Sequence, residues 1–354
     1  MNKISIRELK DRNDNYENTI NALLCFISLT TWEGNHRIPN SCYSFGRRMT
    51  TSDSNVISPN QDVKPDCVIQ VSDDLGFIIE AKISLPADES HWLRILNQIK
   101  KYDDDLLGWW TDNERIINHS VFLFLHMSRS ARFRNYRANL IENGEYEASN
   151  NTWGVEFVLS GQREDYILFR TCWDANNVYD TSLASKLEIS ESIPIEKVKF
   201  SYGNIKFYDS KPELEYLLSI IWQDIFTHLK SEVDFSKQLK CYPIKIDINY
   251  LTNELQKSFG SIALQRSCEL DRNEEREIEY PQNSWVKEAL EILIKLGLAS
   301  RDDENSYTIF FRELRLRGDR DLVDYFSKHR VIRERVEDLQ RPLFEEEGTD
   351  GETS

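Results

Sequence analysis

The run Phe77-Ile78-Ile79-Glu80-Ala81-Lys82-Ile83 constrains this chain more than any other stretch, because it sets two charges inside an apolar, β-branched segment. Side chains on a strand alternate between faces, so Phe77, Ile79, Ala81 and Ile83 share one face while Glu80 and Lys82 share the other. A strand this apolar buries its neighbours, and burying a carboxylate and an ammonium is costly unless they pair or hold a cation. The preceding run Cys67 to Val71, with Ser72-Asp73-Asp74-Leu75-Gly76 after it, completes the composition of a β-hairpin. Centring the turn near Asp74 sets Val68 opposite Glu80 and Asp66 opposite Lys82, which brings a second carboxylate onto the polar face.

Two carboxylates with a backbone carbonyl from Ile79 or Ala81 and waters form a hard, oxygen-rich site of the kind Mg²⁺ prefers. Such an ion neutralises a phosphate and lowers the pKa of bound water. Lys82 can then orient or deprotonate that water, or stabilise charge building on the phosphorus oxygens. Phosphodiester hydrolysis is the reaction that uses all of these groups. The bland alternative is a solvated strand face, which is how an exposed Glu-x-Lys is usually explained. No GxxxxGK[ST], GxSxG or HExxH occurs, so nucleotide hydrolysis, a serine triad and a zinc helix have no motif here, and an ATP-driven step would come from a partner.

Around the hairpin the periodicity predicts an α/β order. Tyr16 to Leu29 reads as a helix, Glu33 to Lys64 as a long irregular loop, and Phe77 to Leu85 as a strand ended by Pro86. Ser90 caps a helix that runs to about Gly108, His119 to Met127 is a central strand, and a helix carrying Phe133, Tyr136, Leu140 and Ile141 ends at Gly144. Strands follow at Trp153 to Ser160 and Tyr166 to Cys172, and a helix at Pro212 to Lys230 leads into a second unit. There, helices at Tyr250 to Phe259 and Ser284 to Leu296, then Gly297, a polar turn and Tyr307 to Phe311, look like the end of a winged-helix domain. At 354 residues more than one domain is expected: 1–210, 211–340 and an acidic tail over 341–354.

Pro65-Asp66 followed by strand-borne Glu80-Ala81-Lys82 resembles the PD-(D/E)xK nuclease superfamily, whose name lists those positions. Gln98-Ile99-Lys100-Lys101-Tyr102 looks like the QxxxY element of its exonuclease-like branch, and the i, i+4 spacing puts Gln98 and Tyr102 on one helix face. Glu17 is similar to the first-helix glutamate that some members add to the metal site, although a glutamate near a helix start also suits the dipole. The resemblance covers roughly the first half of the chain. It implies a restriction-endonuclease-like mixed sheet flanked by helices, with Asp66 and Glu80 holding Mg²⁺ (or Mn²⁺), Glu17 as a further ligand, Lys82 activating water, and Gln98 and Tyr102 contacting phosphate or bracing the carboxylates.

A net charge of −16 excludes a protein that coats nucleic acid non-specifically, so any contact runs through local patches. Arg47, Arg48, Lys100 and Lys101 are candidate backbone clamps, and Arg129, Arg132 and Arg134 in Ser128 to Arg137 either contact phosphate or form the wet face of their helix. Lys287 and Lys295 against Glu288 and Glu291 on the winged-helix candidate favour protein binding, to an ATPase or a second copy, over reading DNA. The six cysteines form no CxxC pair and no apolar run approaches the roughly 20 residues of a membrane span, so a cytoplasmic protein is expected. The expectation is a DNA nuclease of prokaryotic restriction or antiphage defence. The competing readings are a silent nuclease-fold scaffold subunit and an RNA-directed nuclease.

Overall fold

A computed structural model of the chain describes residues 6–33, 36–51, 62–82, 85, 89–102, 105–116, 118–147, 151–159, 166–173, 191–195, 198, 205–208, 212–222, 243–259, 281–310 and 324–329. The chain divides into two compact units, and they are not the contiguous segments expected on either side of 210. Met1–Asp14, Pro212–Leu255 and Pro281–Ser354 make one; Asn15–Lys211 and Gln256–Tyr280 make the other. The tail over 341–354, Pro86, and the part beyond 222 of the helix expected over Pro212 to Lys230 lie outside the described residues.

In the larger unit the elements run α1 (Ile6–Thr31, whose first residues belong to the other unit), β1 (Cys42–Phe45), β2 (Cys67–Gln70), β3 (Leu75–Lys82), α2 (Ser90–Lys101), β4 (Asn118–His126), α3 (Met127–Glu142), β5 (Thr152–Leu159), β6 (Tyr166–Trp173) and β7 (Glu191–Pro194). The seven strands form one mixed α/β sheet in which spatial order follows chain order. β3, β4 and β5 are parallel, joined by crossovers that carry α2 and α3, and antiparallel hairpin partners extend the sheet on both sides.

Each face of the sheet is covered by helix. On one, Phe26 of α1 meets Phe77 of β3, Phe122 and Phe124 of β4 and Phe169 of β6, with ring centroids 4.9 to 6.3 Å apart. On the other, Trp92, Leu96 and Ile99 of α2 and Phe133 and Leu140 of α3 share a core with Val68, Ile78, Val121, Leu123 and Leu125. Fully burying each of these large side chains contributes about 1.5–3 kcal/mol, which fixes the strand faces because a one-residue slip would invert all of them. Gly154 sits at a bulge where an added Cβ would meet the Trp173 indole at 2.2 Å, so that close approach requires glycine.

Several boundaries depart from the sequence reading. α1 begins ten residues before Tyr16, and Ser90 opens α2 without capping it: the cap residue is Glu89, no side chain bonds there, and the helix stops at Lys101 well before Gly108. The expected loop over Glu33 to Lys64 contains β1, all four residues buried, and Met49–Thr51, which pairs with Asp62–Val63 and Leu106–Leu107. A four-residue strand is too short to show period-2 alternation, which is why it escapes a pattern search.

The smaller unit holds β8 (Ile244–Asp247), α4 (Ile248–Gln256, ending at the division between the units), α5 (Asn283–Lys295), β9 (Ala299–Arg301) and β10 (Ser306–Ile309). Its sheet runs β8-β10-β9, all antiparallel, and Val286, Leu290 and Leu293 of α5 are buried with Ile246, Tyr307 and Ile309. Among the described residues, no helix is long and apolar enough to cross a membrane.

Candidate functional site

Alternation along β3 places Ile78, Glu80 and Lys82 on the face covered by α2 and α3. Glu80 is 3% exposed, and its carboxylate accepts three bonds: Lys82 Nζ and Gln98 Nε2 (2.8 Å) donate to Oε1, and the Tyr102 hydroxyl donates to Oε2 at 3.0 Å. Gln98 Nε2 also lies 3.0 Å from the Tyr102 hydroxyl, so the amide and the phenol brace one another as well as the acid. The i, i+4 spacing on α2 aims both inward. Without these donors a buried carboxylate would cost several kcal/mol of lost solvation.

The hairpin register is Cys67↔Ile79 and Val68↔Ile78, two positions from the expected pairing. The turn centres one residue earlier than Asp74, so parity is unchanged and Asp66 remains on the Glu80 face. One step further along the ladder sets Asp66 beside Glu80, where Lys82 was expected. Asp66 Oδ2 accepts the Ala81 backbone N–H at 2.7 Å, which fixes the second carboxylate against the same turn of β3. Burial first, then the negative charges of Glu80 and Asp66, push the Tyr102 phenol well above its ordinary value of 10.0, against the lowering effect of Gln98. Tyr102 therefore stays a neutral donor. It is also the C-cap of α2, and its carbonyl lies 2.7 Å from His119 Nε2 on β4, which ties the helix end to the central strand.

Two carboxylates, Asp66 and Glu80, and the Lys82 ammonium are thus gathered at one end of β3. No group of three His, Cys, Asp or Glu side chains gathers as a metal cage among the described residues, and Glu17 lies on the exposed surface of α1. Two acids completed by backbone carbonyl and water are nevertheless the donor set that suits Mg²⁺, which keeps several of its waters, and they do not suit zinc.

The basic candidates separate by what holds them. Arg47 donates to the Gly108 carbonyl at 2.5 Å and its guanidinium lies 4.1 Å over the Trp110 ring, bracing the loop beside Leu106–Leu107. Lys100 faces Glu147 at 3.4 Å and the Tyr146 ring, and Arg132 pairs with Glu89 at 2.8 Å over Trp92. Arg48, Lys101, Arg129 and Arg134 are exposed. Arg129 stands close enough to His126 to add to the desolvation that lowers that imidazole's pKa.

The sequence reading missed a second buried acid. Glu156 of β5, also on the α2/α3 face, accepts from Ser130 Oγ in the first turn of α3 and from Arg170 Nε on β6. The signal was present: a glutamate within Val155-Glu156-Phe157 and an arginine within Phe169-Arg170-Thr171 are lone charges in adjoining apolar strands, the same anomaly that marks Glu80. No protein-family model, curated protein or solved structure matches this chain.

Proposed function

We propose that this chain is a metal-dependent nuclease that hydrolyses phosphodiester bonds of DNA. One observation carries the reading: Asp66, Glu80 and Lys82 converge on one sheet face beside Gln98 and Tyr102, which donate to Glu80. Asp66 and Glu80 would hold Mg²⁺, with a backbone carbonyl of β3 and water. When bound, the ion would polarise the scissile phosphate and acidify water.

The chain's own groups divide the remaining work. Gln98 and Tyr102 fix the Glu80 carboxylate in one rotamer, which lowers the reorganisation needed at the reacting centre. Lys82 rests on Glu80 with its side chain 22% exposed, so its ammonium is within reach of solvent. There it orients the attacking water or offsets charge on the phosphoryl oxygens. The site lies toward the carboxyl ends of the parallel strands β3 and β4, where open α/β sheets bind their ligands.

The restriction-endonuclease-like fold is supported by the helix, hairpin, helix, strand order around the site. In the smaller unit a strand, two helices and a hairpin, with β8 on the free side of β10, support a winged-helix reading. On α5, Lys287 and Lys295 are matched by Glu288 and Glu291, and Arg301 of β9 is itself engaged by Glu291 (3.9 Å), a balance that favours recruitment of a protein partner, an ATPase or a second copy, over DNA. A role in prokaryotic defence and a cytoplasmic location belong to the same proposal.

The test is incubation of the purified chain with linear, circular and single-stranded DNA and with RNA, in Mg²⁺, Mn²⁺ or EDTA, alongside metal titration by calorimetry. Metal-dependent cleavage that disappears with Asp66→Ala and Lys82→Ala supports the reading. Calorimetric silence together with intact nucleic acids in every condition overturns it and leaves a binding subunit; cleavage confined to RNA replaces the substrate.

A further inference from the structure

The charged row on the sheet continues beyond the proposed site. Pairing places Lys82 of β3, Leu125 of β4, Glu156 of β5 and Arg170 of β6 side by side on one face. With strands about 4.8 Å apart, Arg170 stands about 14 Å from Lys82 along that row. Glu156, 6% exposed, takes only Nε of Arg170, whose side chain is 58% exposed, so the Nη donors of the fork are presented to solvent.

α3 adds a second guanidinium on the same side. Arg134 lies one turn beyond Ser130, on the flank of the helix nearer β6. Its charge, with that of Arg137, reaches the Cys172 thiol, opposing the upward push to about 12 that comes first from burial and then from Glu156. Cys172 is two residues from Arg170 in the same strand, so Arg134 and Arg170 flank one patch of surface. Arg132, on the opposite flank of α3, is already engaged by Glu89 and Trp92.

We infer that Arg170 and Arg134 form a subsite for the sugar-phosphate backbone of a nucleic acid strand leaving the cleavage site along this row, with Glu156 as the positioning residue that aims Arg170. The inference rests on the nuclease reading. One strand of a duplex rises about 3.4 Å per nucleotide along the helix axis, so a row of about 14 Å aligned with that axis corresponds to about four nucleotides. Only substrates extending further than that past the scissile phosphate reach the two arginines.

The experiment measures binding by fluorescence anisotropy in EDTA, and cleavage in Mg²⁺, for full-length wild type, Arg170→Gln, Arg134→Gln and Glu156→Gln. The DNA has either roughly two or roughly ten nucleotides on each side of the cut, lengths chosen to fall short of and beyond the subsite. On the long DNA each arginine variant is expected to bind about tenfold more weakly, with the slope of log affinity against log salt reduced by about one. Glu156→Gln is expected to raise KM on the long DNA with kcat retained, and all three variants to match wild type on the short DNA. Arg134→Gln alters an exposed side chain and carries the test if Arg170→Gln melts early. Wild-type affinity and salt slope in both arginine variants, or equal losses on long and short DNA, overturn the subsite while leaving the nuclease standing. Failure of the wild type to bind either DNA overturns both.

Discussion

The sheet buries two glutamates on one face, and they differ in the neighbours each one has. Glu156 meets one guanidinium and one hydroxyl, so the pair is neutral. Glu80 meets one ammonium, an amide and a phenol, and a second carboxylate, that of Asp66, stands beside it. A balanced buried pair fixes structure, here the first turn of α3 on β5. Two carboxylates set side by side repel one another and gain when a divalent cation lies between them. Both acids lie on the same sheet face, so the neighbours, and not burial, assign the roles.

The largest expected effect is catalytic and confined to one acid. Glu80→Gln should lower cleavage by about 10³-fold or more, whereas Glu156→Gln should change turnover on a short substrate by less than about threefold. Equal losses in single-turnover assays would erase the contrast. Stability should reverse the order. Arg170→Ala leaves Glu156 buried with only Ser130, at a cost of about 1–3 kcal/mol in urea unfolding, the lower part being favoured because the arginine head is solvated. Asp66→Asn keeps an oxygen to accept the Ala81 N–H and should change the stability of the metal-free protein by less than about 1 kcal/mol. A larger loss in Asp66→Asn than in Arg170→Ala in the same urea series would undo that order.

Two smaller effects sharpen the picture of the brace. Tyr102→Phe keeps the buried ring and removes the donor to Glu80 Oε2, so cleavage should fall about tenfold while stability changes by about 1 kcal/mol. An unchanged rate would mean that Gln98 and Lys82 suffice. The same variant tests the pH limb. The Tyr102 pKa is raised in the folded protein, so the folded state holds its proton while the unfolded chain loses it near the ordinary value of 10.0. Its contribution to stability is therefore complete below that pH and is lost as pH rises further, by about 1 kcal/mol near pH 11. Tyr102→Phe should flatten that part of the curve in denaturant titrations; identical curves would disconnect the phenol from alkaline unfolding.

The Glu80 site was legible because two periods locate it. Period 2 sends Glu80 and Lys82 to one face, and period 3.6 sends Gln98 and Tyr102 to one side of their helix. Neither needs knowledge of the loops. Asp66 required the hairpin register, and misplacing the turn by one residue moved its partner from Glu80 to Lys82 while parity preserved the face. What sequence could not supply was the engagement of each arginine: Arg132 and Arg134 read alike in the chain, yet one helix flank faces Glu89 and the other β6. β1 remained hidden because its place is set by pairing with β2, a long-range choice with no local signature.

The strands occupy the sheet in the order in which they are synthesised. Among the described residues, the side chains that bond Glu80 all come no later in the chain than Tyr102, and the parallel neighbour that seats β3 is complete at His126. A growing chain can thus assemble this centre by short loop closures before β5 and everything beyond it have left the ribosome, and such local topology favours rapid folding.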